Sequence, residues 1–310
     1  MANPWQAEVD VDARLAARLI ERQFPDLPGE AVAPLGVGWD NSVFAVGQDW
    51  VFRFPRRQLA VGLLESELRC LPAAALELTL AVPVPVHAGV PDEDYPWPFA
   101  GYRMLAGATA CRAALSNAER RATAAPLARF LAQLHAIPAE RVRAWGAAPD
   151  TFRRLDVAHR AGQASERLAQ VLAAGLIDDG TASTLGSVIA DAPLDWEPRA
   201  RSLCHGDLYA RHVLIGADRG PCGVIDWGDL HFGDGTVDLA LAHGFLPPEA
   251  HATFRQTYGT IDESAWRVAR LRALVTNLAV LQYAVDVGDH PLETEGRWAL
   301  ANLAAGFNAQ

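Results

Sequence analysis

The sequence predicts an α+β protein of two lobes, a small antiparallel sheet-rich N-terminal lobe and a larger, mostly helical C-terminal lobe. Three observations carry that prediction. Residues 32–54 hold short β-rich runs, 43-VFAV-46 and 50-WVFRF-54, joined by Gly47-Gln48-Asp49 as a hairpin. Beyond residue 119 the apolar spacing is helical almost throughout, with one strand pair set into it. At 310 residues the chain is long enough to bury two cores.

Taken in order, acidic starters followed by leucine, alanine and arginine at helical spacing place a helix from about Val9 to Phe24. The stretch 35-LGVGWDNSVFAV-46 reads as strand, glycine turn and returning strand, followed by the 43–54 hairpin. Helical periodicity returns in 58-QLAVGLLESELRCL-71. The run 81-AVPVPV-86 is extended, its prolines suited to an edge strand or a linker. A Pro-rich loop from Pro91 to Pro98 leads into 99-FAGYRML-105, a strand ending at Gly107. The lobe boundary falls there, giving 1–105 and 106–310. Next, 119-ERRATAAPLARFLAQLHAIP-138 reads as one amphipathic helix stopped by Pro138. Residues 151–190 read as further helices, a single hairpin occupies 203–226, and helices resume near 237.

Composition narrows the function classes. The formal charge is −10, which argues against a phosphate-backbone partner and suits a cationic small molecule. All 27 basic residues are arginine; without lysine there is neither Schiff-base chemistry through a lysine nor a Walker-A loop. Four scattered cysteines with no CxxC pair read as reduced, so a cytoplasmic location is expected. The acidic opening MANPWQAEVDVDARL does not read as a secretory signal. Thr276, Asn277 and Gln282 interrupt 271-LRALVTNLAVLQYAV-285, so it reads as a buried helix and no membrane contact is expected.

Chemistry concentrates in 201-RSLCHGDLYARHVLIGADRGPCGVIDWGDLHFGD-234. Asp207, on a loop between short elements, can present a carboxylate to a substrate hydroxyl. Asp226, at the end of 223-GVI-225, can reach a metal between phosphates. His212, at the start of an apolar strand, is either a second metal contact or a hydrogen-bonded core residue, and magnesium prefers oxygen. Asp234 reads as the N-cap and Asp238 as the first-turn acid of the next helix; His205 reads as stiffening the loop. Near the N-terminus, a turn carrying Gly36 and Gly38, with Ser42 on the returning strand, can turn backbone amides toward phosphates. Arg53 is the polar member of an apolar strand, and Glu67, or its competitor Glu65, can aim it.

HGDLYARHVL, followed by GVIDWGD and GDGTVDLA, resembles the signature of the aminoglycoside phosphotransferase family, which includes the macrolide phosphotransferases and has a protein-kinase-like fold. LARFLAQLH and GWDNSVFAV…WVFRFPR are similar to its core helix and nucleotide-binding hairpin, so the likeness spans roughly residues 30–245. The resemblance implies a kinase that phosphorylates a hydroxyl of a small molecule, an antibiotic such as a macrolide or an aminoglycoside, with ATP or GTP as donor and Mg2+ as cofactor. It makes Asp207 the catalytic base, Asp226 the main magnesium ligand and His212 a second one, where most members carry asparagine. Arg53 replaces the usual phosphate-pairing lysine, Glu67 orients it, and Arg103, Met104 and Leu105 offer hinge contacts to the purine. A monomer or homodimer is expected.

For the acceptor, Asp178, Asp179, Asp229, Glu263, Asp286 and Asp289 could hold a polyamine sugar, whereas the apolar helix 271–285 could line a macrolide pocket. Other readings use the same residues: a metabolic kinase of an amino alcohol or sugar, a metal-dependent hydrolase built on His205, Asp207, His212, Asp226 and His231, or a catalytically silent nucleotide-binding protein.

Overall fold

The computed structural model describes residues 7–27, 31–38 and 40–308. The N-terminal lobe begins with α1 (Ala13–Gln23), capped by the Asp12 carboxylate, which accepts from the Leu15 N–H. Then come β1 (Val32–Val37), β2 (Asn41–Val46), β3 (Trp50–Pro55), α2 (Gln58–Ala74), β4 (Pro85–Gly89) and β5 (Phe99–Arg103). All pairings in the sheet are antiparallel, in the order β1-β2-β3-β5-β4. The strand that carries Pro85 is thus at an edge, where a missing N–H costs no ladder bond.

Alternation along β2 and β3 sends Phe44, Val46, Phe52 and Phe54 to one face, where they pack with Leu19, Ile20, Tyr95 and Phe99 of the lobe's core. Phe54 and Phe99 stack with ring centroids 4.5 Å apart. Each such phenylalanine contributes about 1.5–3 kcal/mol by leaving water. That rigid face fixes the opposite one, which carries Arg53.

β6 (Ala108–Thr109) pairs with β8 (Val213–Ile215), and β8 with β9 (Pro221–Val224); β7 (Ser202–Cys204) pairs with β10 (His231–Gly233). The embedded β region is therefore two small sheets, not one hairpin. Around them lie α3 (Asn117–Ala122), α4 (Ala124–Ala136), α5 (Ala139–Ala144), α6 (Val157–Ala173), α7 (Asp179–Ala190), α8 (Thr236–Phe245), α9 (His251–Tyr258), α10 (Glu263–Val287) and α11 (His290–Asn308). Among the described residues no helix is long and apolar enough to cross a membrane.

The stretch expected as one helix over 119–138 is two, α3 and α4, broken at Thr123. Pro126 has no N–H to continue the ladder from the previous turn, and the Thr123 hydroxyl donates to the Arg120 carbonyl at the break. Asp234 is not the N-cap of α8; Gly235 is, while the Asp234 oxygens accept from the Arg199 and Thr236 N–H groups.

His205, His231 and His243 are all buried, and burial lowers the pKa of each. His212 goes the other way: burial pulls its pKa down, but Asp226 and Asp207 raise it overall. As pH falls through the unfolded value of about 6.5, the unfolded chain takes up protons that three of these rings refuse, so stability falls with pH, offset by the one ring that gains. His87 and His251, whose pKa values burial also lowers, add to the fall in stability. Calorimetric melting between pH 8 and 5 is expected to show Tm dropping as pH passes below 6.5; a flat profile would contradict it.

Candidate active site

Arg53 lies on the central strand, opposite Val43 on β2 and Ala100 on β5. Its Nη1 donates to the Glu67 Oε2 and Oε1 at 3.1 and 3.4 Å, and its Nη2 to Asp226 Oδ1 at 2.9 Å. Burial opposes the guanidinium charge, yet Glu67 and Asp226 outweigh it and raise the Arg53 pKa. Glu67 is wholly buried on α2, where burial raises its own pKa against the pull of Arg53. Glu65 is exposed, so the choice between the two acids falls to Glu67.

Of the flap residues, Gly36 and Gly38 are exposed and Ser42 is buried. An added Cβ at Gly36 would meet nothing within 4 Å, so packing within the chain does not require glycine there. Arg56 Nη1 donates to the Gly38 carbonyl at 3.0 Å and Arg57 pairs with Asp40, which hold the turn down from β3. At the other end of the strand, the Arg103 guanidinium lies 3.8 Å from the Trp50 ring centroid. The Met104 N–H donates to the Asp49 carbonyl at 2.7 Å, whereas the N–H groups of Leu105 and Ala106 donate to no backbone carbonyl among the described residues.

Asp207 sits just after β7, on a loop shaped by Gly206. That glycine has φ +87°, and a Cβ on it would lie 2.5 Å from the Asp229 carbonyl oxygen. The loop is anchored from below by Asp238, fully buried on α8. Its carboxylate accepts from the His205 N–H at 2.7 Å, the Gly206 N–H at 2.8 Å and His135 Nε2 at 3.1 Å. Burial raises the Asp238 pKa, but these donors, His135 foremost, outweigh it and hold the carboxylate below its usual range. Asp238 is therefore more than a first-turn acid; it is the support of the loop.

His205 stiffens the loop as expected, its Nε2 donating to the Ile225 carbonyl at 3.0 Å and its Nδ1 accepting from the Asp207 N–H at 3.3 Å. The His212 Nδ1 donates to the Asp207 carbonyl at 2.7 Å, which turns Nε2 toward Asp226 Oδ2, 3.3 Å away. Asp226, just past β9, has φ +64°, a left-handed turn that swings its half-exposed carboxylate into the cleft between the lobes. Trp227 beside it is fully buried, its Nε1 donating to the Val224 carbonyl at 3.0 Å, which fixes the turn. Burial raises the Asp226 pKa, but Arg53 first and His212 next hold it far below the usual carboxylate range. The Asp207 pKa is raised, by burial and then by Asp229, despite His212 and Arg272.

Two participants escaped the sequence reading. Arg272 on α10 places its Nη2 3.6 Å from Asp207 Oδ1 and donates to the Gly206 carbonyl at 3.3 Å. The signal was present: a cation inside an otherwise apolar helix needs a partner. Arg154, buried, ties Asp150 at 2.5 Å to Asp229.

This donor set suits a magnesium ion. Asp226 supplies one carboxylate facing the cleft, and His212 presents only Nε2, consistent with an ion bound by few protein ligands plus phosphate oxygens. The residues expected for a hydrolase do not assemble a closed zinc site. Among the described residues, no three of His205, Asp207, His212, Asp226 and His231 bring ligand atoms within 4.8 Å of one another. His205 and His231 instead spend a ring nitrogen on backbone carbonyls.

A model of the phosphotransferase enzyme family matches residues 31–273. No curated protein matches the chain. Among solved structures, the GDP complex of aminoglycoside 2'-phosphotransferase-IIIa is 25% identical with a TM-score of 0.68, covering 95% of this chain and 99% of that one. The GDP and kanamycin complex of APH(2")-IIia is 25% identical with a TM-score of 0.65, covering 94% and 98%. The apoenzyme of macrolide 2'-phosphotransferase MphH from Brachybacterium faecium shares the fold, at 24% identity and a TM-score of 0.57 over 93% and 97% of the two chains.

Proposed function

Because the chain belongs to the phosphotransferase enzyme family and so transfers a phosphoryl group to an alcohol, we propose that it draws that group from ATP or GTP and places it on a hydroxyl of a small molecule. The observation that carries this reading is Arg53, whose guanidinium joins Glu67 of the first lobe to Asp226 of the second, with His212 between Asp226 and Asp207. Phosphoryl transfer has a loose transition state and asks mainly for positioning and charge neutralisation.

In this scheme the acceptor oxygen bonds to the terminal phosphorus while the bridging bond to the leaving nucleoside diphosphate breaks. The acceptor's proton goes to Asp207, whose raised pKa makes it a better base than an ordinary carboxylate. Arg53 neutralises charge on the donor phosphates, the exposed Gly36–Gly38 turn lies over them, and Leu105 in the 104–107 hinge meets the purine. Asp226 and the Nε2 of His212 would hold magnesium, which when bound neutralises phosphate charge. The Arg53 geometry supports a working nucleotide site over a silent one.

Replacing Glu67 by glutamine keeps the shape of the pair and removes its charge, so Arg53 is expected to swing to Asp226 alone. Losing one charged hydrogen bond typically costs about 1.5–3 kcal/mol, a rise of roughly 10- to 150-fold in the nucleotide KM. An unchanged KM in steady-state kinetics would deny Arg53 its phosphate role.

For the acceptor, the antibiotics of the structural neighbours are the first compounds to test. A specific observation favours the second reading, a metabolic kinase. Four of the six carboxylates expected to hold a polyamine are engaged: Asp229 with Arg154, Glu263 with Arg255, Asp289 with Arg112, and Asp178 as the cap of α7; only Asp179 and Asp286 stay exposed without an ion pair among the described residues. Leu271, Leu274, Val275, Leu278 and Leu281 of α10 lie in the core, packed with residues of α6, α7, α8 and α11. The test is nucleoside diphosphate release with ATP and with GTP, plus magnesium, across kanamycin, erythromycin and simple sugars and amino alcohols. Acceptor-dependent release lost in Asp207→Asn supports the reading; release with no acceptor tested would overturn it.

A further inference from the structure

Outside the residues already given roles, the ground beside Asp207 is cationic. Helix α6 sets Arg160, Gln163, Arg167 and Gln170 along one stripe, at i, i+3, i+7 and i+10. Helix α10 lies against it and brings Arg272 to Asp207. Ten residues further along both helices, Gln282 donates to Gln170 at 2.9 Å. The two helices therefore run side by side in the same direction, away from the catalytic loop, for about 15 Å.

The charges along this track do not cancel. Arg154 is taken up by Asp150 and Asp229. Arg272 faces Asp207 across 3.6 Å. Arg160 forms no ion pair among the described residues; its three hydrogen bonds go to the carbonyls of Phe152 and Arg153 and to the Gln163 side chain, all neutral. Arg167, half-buried one stretch further out, has neither a hydrogen bond nor an ion pair among the described residues. The consequence shows in Arg160, whose pKa falls to about 10, first through burial, then through the neighbouring charge of Arg272; the charge of Asp150 opposes the fall, and Arg154 and Arg167 add to it. A guanidinium resists losing its proton, so such crowding marks a place where an anion would relieve the field.

We propose that the acceptor carries an oxyanion, a carboxylate or a phosphate ester, which Arg160 and Arg167 hold on α6 while its hydroxyl lies against Asp207. The planar guanidinium fork matches either group in a bidentate way. A polyamine would meet like charge on the same track. This assignment rests on the phosphotransfer reading for its chemistry, but it makes a separate claim about binding.

The test uses sugars that share hydroxyls and differ in charge: glucuronate, glucose 6-phosphate, glucose and glucosamine, with kanamycin alongside. Each is titrated calorimetrically into the full-length protein saturated with magnesium and nucleoside diphosphate, so binding is read without turnover. At least one anionic sugar is expected to bind about tenfold or more tightly than glucose, with glucosamine and kanamycin weakest. Which of the two anions wins separates a carboxylate from a phosphate. Arg167→Gln, alone and with Arg160→Gln, is expected to erase that preference while nucleotide affinity stays as it was. Binding of kanamycin or glucosamine as tight as that of the anions, an anion preference that survives both substitutions, or no binding of either anion would overturn the proposal. Failure of the phosphotransfer reading looks different: anion preference intact, with no diphosphate released from any acceptor.

Discussion

Replacing Asp207 by asparagine is expected to lower acceptor-dependent diphosphate release by about 10²–10⁴-fold, the contribution typical of a positioned general base. The amide keeps the shape beside Arg272 but takes no proton. Stability should hold or rise slightly, because Asp207 is partly exposed and its charge is opposed by Asp229 and Asp226. The nucleotide KM should stay within a few-fold, since Asp207 faces the acceptor side. Kinetics and calorimetry on the same preparation check both halves; activity within tenfold of the parent would remove Asp207 from the chemistry.

That residue was legible from sequence because its surroundings are contiguous. From His205 to Asp226 the loop, the turn and the hairpin are local structures, and a short run of text carries nearly all of one carboxylate pair's geometry. Arg53 and Glu67 were also legible, through strand alternation followed by helical spacing. The supports were not. Asp238 reads as an ordinary acid at the start of a helix, and only folding shows that two loop N–H groups and His135 converge on it. Arg272 reaches Asp207 from 65 residues away, a proximity no local period encodes. The break at Thr123 was missed for the opposite reason, because strong periodicity on both sides hid the effect of Pro126.

The second large effect lies far from the cleft. Glu295→Ala is expected to cost about 3–5 kcal/mol, the range for stripping one partner from a buried ion pair, or roughly 6–20 °C in Tm. Arg120 on α3 and Glu295 on α11 meet in two bonds of 2.5 and 2.7 Å, both nearly sealed from solvent. Trp298 and Phe245 enclose the guanidinium, with ring centroids 3.8 and 4.9 Å away. Without Glu295 the buried cation keeps only the Phe245 carbonyl, 3.4 Å from its Nη1, among the described residues. Replacing both partners, Arg120→Met with Glu295→Leu, should recover most of the loss, since desolvation then no longer has to be offset. Thermal melts of the single and double variants decide it; a single variant within 1 kcal/mol of the parent would show the pair to be dispensable.

The carboxylate at the end of β9 has one further consequence. Arg53 takes one Asp226 oxygen and His212 approaches the other, so a divalent ion arriving there does not fill a waiting socket. It trades places with a cation already in residence. Loading would then be an exchange equilibrium, its selectivity set by how well the newcomer outbids the guanidinium for the carboxylate. A weakly hydrated monovalent ion gains little from such a trade, whereas a doubly charged ion that brings its own phosphates gains on both sides.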